Sequence, residues 1–160
     1  MKRERSIKNL QTALSMELTA THQYQLHAGV LDDWGLSLLA TQMREEMREE
    51  LGHSEEFMNR IMLLKGDPQM TLEKPPVRAS TLKEMFETDL ADEQEAIEFY
   101  TRSSLQAVED GDLGSRAIFE RIALDEEEHM SWLELQLDLL ERMGEPAFIS
   151  KYIPSRDSAT

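Results

Sequence analysis

At 160 residues the chain is sized for one domain around one core, and its composition, 40% apolar and 31% charged, is that of a globular protein. A net charge of −15 and a pI near 4.6 exclude nucleic acid and anionic membrane as partners, since both require a basic face, and leave cations such as metal ions. The absence of Cys excludes disulfides, thiolate-bound zinc, rubredoxin-type iron and Cys nucleophiles.

The start, Met1 to Arg5, is basic but no apolar run follows it, so neither a signal peptide nor a membrane span is expected and the expected location is cytoplasmic. From Ile7 onward, Leu10, Leu14, Glu17, Thr21, Tyr24, Ala28 and Leu31 step by fours and threes, which predicts a helix of about 30 residues ending at Trp34-Gly35. A second helix is predicted from about Ser37 to Lys65, with Met43, Met47, Glu50, Ser54, Phe57, Ile61 and Leu64 on its inner seam and Gly66-Asp67-Pro68 as its stop signal. Residues 66–80 have no period and hold Pro68, Pro75 and Pro76, more chain than a turn needs, which predicts a long crossover.

A third helix begins near Ser80 or Thr81, where Thr81 and Glu84 form a capping-box pattern. Its seam reads Leu82, Phe86, Asp89, Glu93, Ala96, Tyr100, Ser103 and Ala107. After the turn 110–114 a fourth helix carries Phe119, Ile122, Glu126, His129, Leu133, Leu137 and Leu140. Gly144-Glu145-Pro146 closes it, and Ala147 to Ile153 is expected to form a short fifth helix. The expected division is a bundle over 1–145 and a C-terminal helix and tail over 146–160. Two helical hairpins joined by one long connection make an all-α four-helix bundle. The hairpins also look like copies: adding 76 carries Glu17 to Glu93, Tyr24 to Tyr100, Glu50 to Glu126 and His53 to His129.

Two helices contain Glu-x-x-His, at Glu50/His53 and Glu126/His129, and residues three apart on one helical face can reach one metal. Alone the motif is weak, because with 22 Glu in 160 residues a Glu stands three before any His about once in seven by chance. His22 and His27 lack that Glu. Position adds the strength. Glu17 lies 33 residues before Glu50, as Glu93 does before Glu126, and Glu17 sits alone in an apolar seam where a carboxylate without a partner is costly. About the turn at Gly111, Glu93 lies 18 residues before and His129 18 after, so the rise of about 1.5 Å per residue puts them at one depth. Four carboxylates and two imidazoles are therefore expected to meet inside the bundle, where two divalent cations would neutralise them. Oxygen and imidazole donors without thiolate suit iron or manganese better than structural zinc. One Glu from each of two helices plus Glu-x-x-His from the other two resembles the ferritin-like di-iron ligand set.

These residues resemble the bacterioferritin family over nearly the whole chain. Glu17-Leu18 with Gln23-Tyr24 and Leu26-His27-Ala28 is similar to its first helix, Asp33-Trp34-Gly35-Leu36 to its first turn, and Asp125 to His129 with Trp132-Leu133-Glu134 to its fourth helix. The resemblance implies a ferritin-like up-down-down-up bundle and two iron ions per subunit. Glu50 and Glu126 would bridge them; Glu17 with His53, and Glu93 with His129, would be terminal ligands. It implies iron storage and detoxification by a ferroxidase that oxidises Fe(II) with oxygen or hydrogen peroxide and deposits ferric mineral in a homo-oligomeric 24-subunit cage. The ferric product either moves to the cavity, or the centre stays in place and passes on electrons from cavity iron. Glu45 and Glu49 are candidates for iron uptake at the inner surface, or an ordinary solvated face. Tyr24, repeated by Tyr100, either bonds a ligand, quenches a radical or simply packs. One departure concerns haem b, which the family holds through a Met directly after the bridging Glu of the second helix. Here that residue is Leu51, which cannot ligate iron; Met47, one turn earlier, is the alternative donor, against plain packing. The chain is then a haem-free homologue or a subunit that co-assembles with a haem-binding one. The rival readings are another di-iron oxidase or peroxidase on this fold, and an accessory subunit that only completes a shell.

Overall fold

The computed structural model describes residues 3–155. Five helices follow one another: α1 (Arg3–Asp33), α2 (Ser37–Leu63), α3 (Leu82–Glu109), α4 (Leu113–Met143) and α5 (Glu145–Ser150). The first four form an up-down-down-up bundle, as expected. α1 pairs with α2 and α3 with α4 as antiparallel hairpins, and the hairpins meet along α1/α3 and α2/α4. Among the described residues no helix is long and apolar enough to cross a membrane.

Three helices end in the same way. In each, the third residue past the helix donates five residues back and the one before it donates three back, a Schellman motif: Leu36 to Leu31 and Gly35 to Asp32, Gly66 to Ile61 and Lys65 to Met62, Asp112 to Ala107 and Gly111 to Val108. The motif needs a left-handed residue. Gly35 (φ 79°) and Gly111 (φ 71°) supply it without steric cost, and they are related by the same shift of 76 as the site residues. At the end of α2, however, the left-handed residue is Lys65 (φ 67°) rather than Gly66. Gly66 serves close approach instead, since a Cβ there would lie 2.9 Å from the Ile61 side chain.

Caps differ from the expected pattern in detail. Thr81 accepts from the Glu84 amide (3.1 Å), but Glu84 reaches back to the Ser80 amide (2.7 Å) rather than to that of Thr81. Asp112 caps α4 by accepting from the Ser115 amide (3.1 Å) and is locked there by Arg60 from α2 (2.5 Å). The fifth helix starts earlier than expected, directly after Gly144. Pro146 lies in its first turn, where a missing N–H costs nothing. Its Phe148 is fully buried, edge-on to Phe86 at 6.0 Å.

Every seam residue proposed for α1 and α3 is buried, while Met47, Leu137 and Leu140 are only partly covered. The core forms two apolar clusters. One gathers Leu31, Leu39, Met43, Phe86, Leu133 and Phe148; the other gathers Leu10, Leu14, Phe57, Ile61, Tyr100 and Phe119. On all four helices the charged seam residues fall between them.

The crossover, residues 64–81, is laid along α1 by a polar residue on every turn. Gln11 pairs with the backbone of Gln69 (2.8 Å both ways), Thr19 accepts from the Glu73 amide (2.8 Å), and Gln23 pairs with Val77 (2.9 Å both ways). A helical turn and two extended residues advance the chain by similar lengths, so Gln11 and Thr19, two turns apart, hold Gln69 and Glu73, four strap residues apart.

Candidate metal centre

All six expected side chains converge. Glu17, Glu50, His53 and Glu126 form one group whose donor atoms lie within 4.8 Å of one another, and Glu50, Glu93, Glu126 and His129 form a second. All are buried, and the two groups share Glu50 and Glu126. Among the described residues no lysine or arginine forms an ion pair with any of the four carboxylates, and the basic groups that pair with them are the two histidines.

The spacing is that of a coordination shell. His53 Nδ1 lies 3.1 Å from Glu126 and 3.5 Å from Glu17, and His129 Nδ1 lies 2.9 Å from Glu50, 3.0 Å from Glu126 and 3.7 Å from Glu93. Yet both Nδ1 atoms, Glu17 Oε2, Glu50 Oε1 and both oxygens of Glu126 are buried without a hydrogen bond. Buried polar atoms are normally satisfied. Atoms about 3–4 Å apart that all face a common point, none aligned on another, are what donors about 2.1 Å from a shared ion look like. The residues present therefore fit two metal ions.

The outer contacts repeat the hairpin symmetry. Tyr24 on α1 donates to Glu93 on α3 (2.6 Å), and Tyr100 on α3 donates to Glu17 on α1. Of the three roles open to Tyr24, carboxylate bonding is the one this geometry supports. Burial first, and then the neighbouring carboxylates, raise both phenols well above their ordinary range, so they stay protonated and act as donors to the carboxylates. His53 Nε2 faces Asp125 (3.2 Å) and His129 Nε2 faces Glu49 (2.8 Å). Each partner stands directly before a shared Glu, and they too are related by the shift of 76. A carboxylate at Nε2 fixes the tautomer that turns the Nδ1 lone pair inward.

Sequence reasoning missed Asp125 and Glu46. Asp125 could have been found as the duplicate of Glu49. Glu46 has no such signal, because its counterpart is Ile122. Its buried carboxylate lies 2.9 Å from His129 Nε2 and makes a third donor group with Glu49 and His129. Burial opposes the charge of Glu46, but His129 outweighs it and holds its carboxyl below the usual range. Glu45 is exposed and belongs to none of the groups, and Glu49 is largely exposed at the rim. His27 lies apart from the centre, buried between Asp89 (3.0 Å) and Gln23 (2.8 Å). Leu51 is 52% exposed, and Met47 packs against the apolar cluster around Met43.

Without metal the centre must be neutralised by protons. Burial and then Glu126 push the Glu93 carboxyl up to about 8, and burial with its three carboxylate neighbours raises Glu50 well above its usual range. Burial works against the His53 imidazolium, but Glu126 and Glu17 outweigh it and raise the ring to about 10. Ligation requires these protons to leave, so metal affinity is expected to climb from pH 6 to pH 8 with net proton release. Conversely, groups raised in the folded state stabilise it at low pH and lose that contribution as pH passes their folded values. The metal-free protein is therefore expected to melt at lower temperature on going from pH 6 to pH 10. Calorimetry in buffers of differing ionisation enthalpy reads the first; a melting series reads the second. Proton uptake on binding would contradict this account.

A four-helix bundle with a duplicated carboxylate–histidine pair at mid-depth defines the class of helical bundles with a buried carboxylate–histidine centre. Residues 7–143 match the Ferritin family, described as a ferritin-like domain. The chain is 39% identical to the bacterioferritin of Rhodobacter capsulatus over 89% of its length and 88% of the relative's, and 36% identical to bacterioferritin BfrA of Mycobacterium tuberculosis over 92% of both. It superposes on the solved Rhodobacter capsulatus bacterioferritin with a TM-score of 0.92 at 37% identity, covering 96% of each chain. That structure is described as having a metal-free dinuclear site and a haem iron in a crystallographic special position. The Mycobacterium tuberculosis BfrA crystal structure gives 0.92 at 36% identity, covering 96% of this chain and 95% of that one. The chain belongs to the bacterioferritin family.

Proposed function

We propose that this chain is an iron-storage and detoxification subunit that oxidises Fe(II) at the paired site within one bundle and contributes to a multi-subunit shell holding the ferric product. The observation that carries this is the pair of donor groups sharing Glu50 and Glu126, with their inward atoms left without hydrogen bonds.

Ferrous iron is here the substrate. Two Fe(II) ions give up two electrons in all, either to one oxygen with two protons, yielding hydrogen peroxide, or to one peroxide with two protons, yielding two waters. Adjacent sites make this a two-electron event and limit one-electron radical release. In this reading Glu17 with His53, and Glu93 with His129, each hold one ion, and Glu50 and Glu126 hold both. Tyr24 and Tyr100 orient the terminal carboxylates, and Asp125 and Glu49 orient the rings.

An oxidase acting on an organic molecule fits less well. The cavity that reaches Glu17, Glu50 and Glu93 has an internal volume of about 30 Å³, room for an ion or one or two waters. No haem ligand is assigned to this chain, since Leu51 offers no donor and the partly buried Met47 packs against the apolar cluster.

Anaerobic titration of the metal-stripped protein with Fe(II) tests the proposal. The expected result is saturation at about two ions per chain, then rapid oxidation of both on admitting oxygen or peroxide, with no Soret band. Saturation near one ion, or none, would sink it.

A further inference from the structure

The cavity above the centre opens to the outside through a mouth between α1, α3 and the crossover strap. Its floor is Glu17, Glu50 and Glu93; its rim is Glu73, Asp92 and Glu95, with Lys74 among them. Ala20 on α1 and Ala96 on α3 line it, small residues at equivalent points of the two hairpins. An acidic rim alone is ordinary surface. Here it leads to Glu17 and Glu50, whose Oε2 and Oε1 atoms are buried without a hydrogen bond.

One residue on this path has the wrong sign for a cation passage. The strap is tied to α1 at Glu73, and the next residue, Lys74, reaches across to Asp92 on α3 with its ammonium 2.6 Å from the carboxylate. Two consecutive strap residues are thus anchored on the two helices that flank the opening, and the Lys74–Asp92 bridge spans it. The Lys74 side chain is half exposed, so release of its ammonium into water costs little. The contact with Asp92 favours the charged ammonium, and the strap's backbone bonds on either side hold the lysine stem in place.

We infer that Lys74 is a tethered cation that closes the outer mouth of the metal centre, and that a divalent ion enters by displacing it from Asp92. The inference rests on the dinuclear reading above. The bridge sets a threshold: monovalent ions compete poorly with a tethered ammonium, whereas a divalent ion with Glu73, Asp92 and Glu95 around it competes well. Lys74 is a gating residue and takes no part in the oxidation.

The test is the association rate of Co(II) with the full-length, assembled, metal-stripped protein, followed by stopped-flow absorbance of the Co(II) ligand-field bands. Lys74→Gln is expected to speed association about three- to tenfold, the low end of what local charge does to ionic on-rates. Lys83→Gln makes the same change of net charge on an exposed lysine of α3 that pairs with Glu87, and is expected to change the rate less than about twofold. Ala20→Leu, which narrows the passage, is expected to slow association. Equal rates for Lys74→Gln and wild type, equal gains for Lys74→Gln and Lys83→Gln, or an unchanged rate in Ala20→Leu would each overturn the gate. If wild type takes up two Co(II) per chain and the variants do not differ, only the gate fails. If wild type shows no saturable uptake, the dinuclear reading fails with it.

Discussion

Glu126→Ala is expected to abolish rapid Fe(II) oxidation and leave the bundle folded. Glu126 is fully buried on α4 and is one of two residues common to both donor groups, so its loss opens both ion positions at once. Losing a residue that merely supports a metal ligand costs roughly 10–100-fold, and a shared ligand should cost more than that range. The fold should survive, because the metal-free centre carries more carboxylates than imidazoles and removing one relieves repulsion. His129→Ala is the graded companion. It breaks the group with Glu93 but spares Glu17, Glu50, His53 and Glu126, so Fe(II) uptake should fall from about two ions per chain to about one. Stopped-flow oxidation, iron titration and far-ultraviolet circular dichroism read these outcomes. An oxidation rate unchanged in Glu126→Ala would refute the site.

Phe57→Ala should give the largest loss of stability. Phe57 is fully buried beside the centre, its ring 5.4 Å from that of Tyr100 and 5.4 Å from that of Phe119. Truncation removes the transfer free energy of the ring and leaves a cavity between helices too rigid to close, together about 3–5 kcal/mol. In a chain of this length that is a fall of roughly 10 °C in melting temperature. Tyr100 leans on Phe57 and donates to Glu17, so oxidation should slow as well, by less than in Glu126→Ala. Urea unfolding of the metal-free protein measures the loss; a cost under about 1 kcal/mol would mean the cavity had collapsed.

Much of the centre was legible because burial is written into a helix as period. A carboxylate at Glu17, flanked at helical spacing by Leu10, Leu14 and Leu31, can only point inward, and the same holds for Glu93 between Phe86 and Tyr100. The duplication then tied the hairpins together. Equal offsets of 33 residues in two helical hairpins of similar turn geometry enforce equal depth, which is why four distant positions could be placed at one level before any coordinates.

Contacts between elements without a shared period were not legible. Glu46 lies one turn before Glu50 on α2, and nothing local separates it from the exposed Glu45; only the approach of α4 buries it against His129. Lys65 takes the left-handed position beside a glycine that would suit it, because Gly66 is needed for close approach to Ile61 and Ile7.

By itself the sequence determined the bundle, its two hairpins, its long crossover and the six side chains that meet inside it, because helical period and internal repetition are properties of one chain read in order. Only the tertiary structure decided which carboxylates orient the rings, and where the strap runs. Asp125 meets His53, Glu49 meets His129 and Lys74 meets Asp92 through the approach of separate helices and a loop, and such distances are set by how the elements pack against one another.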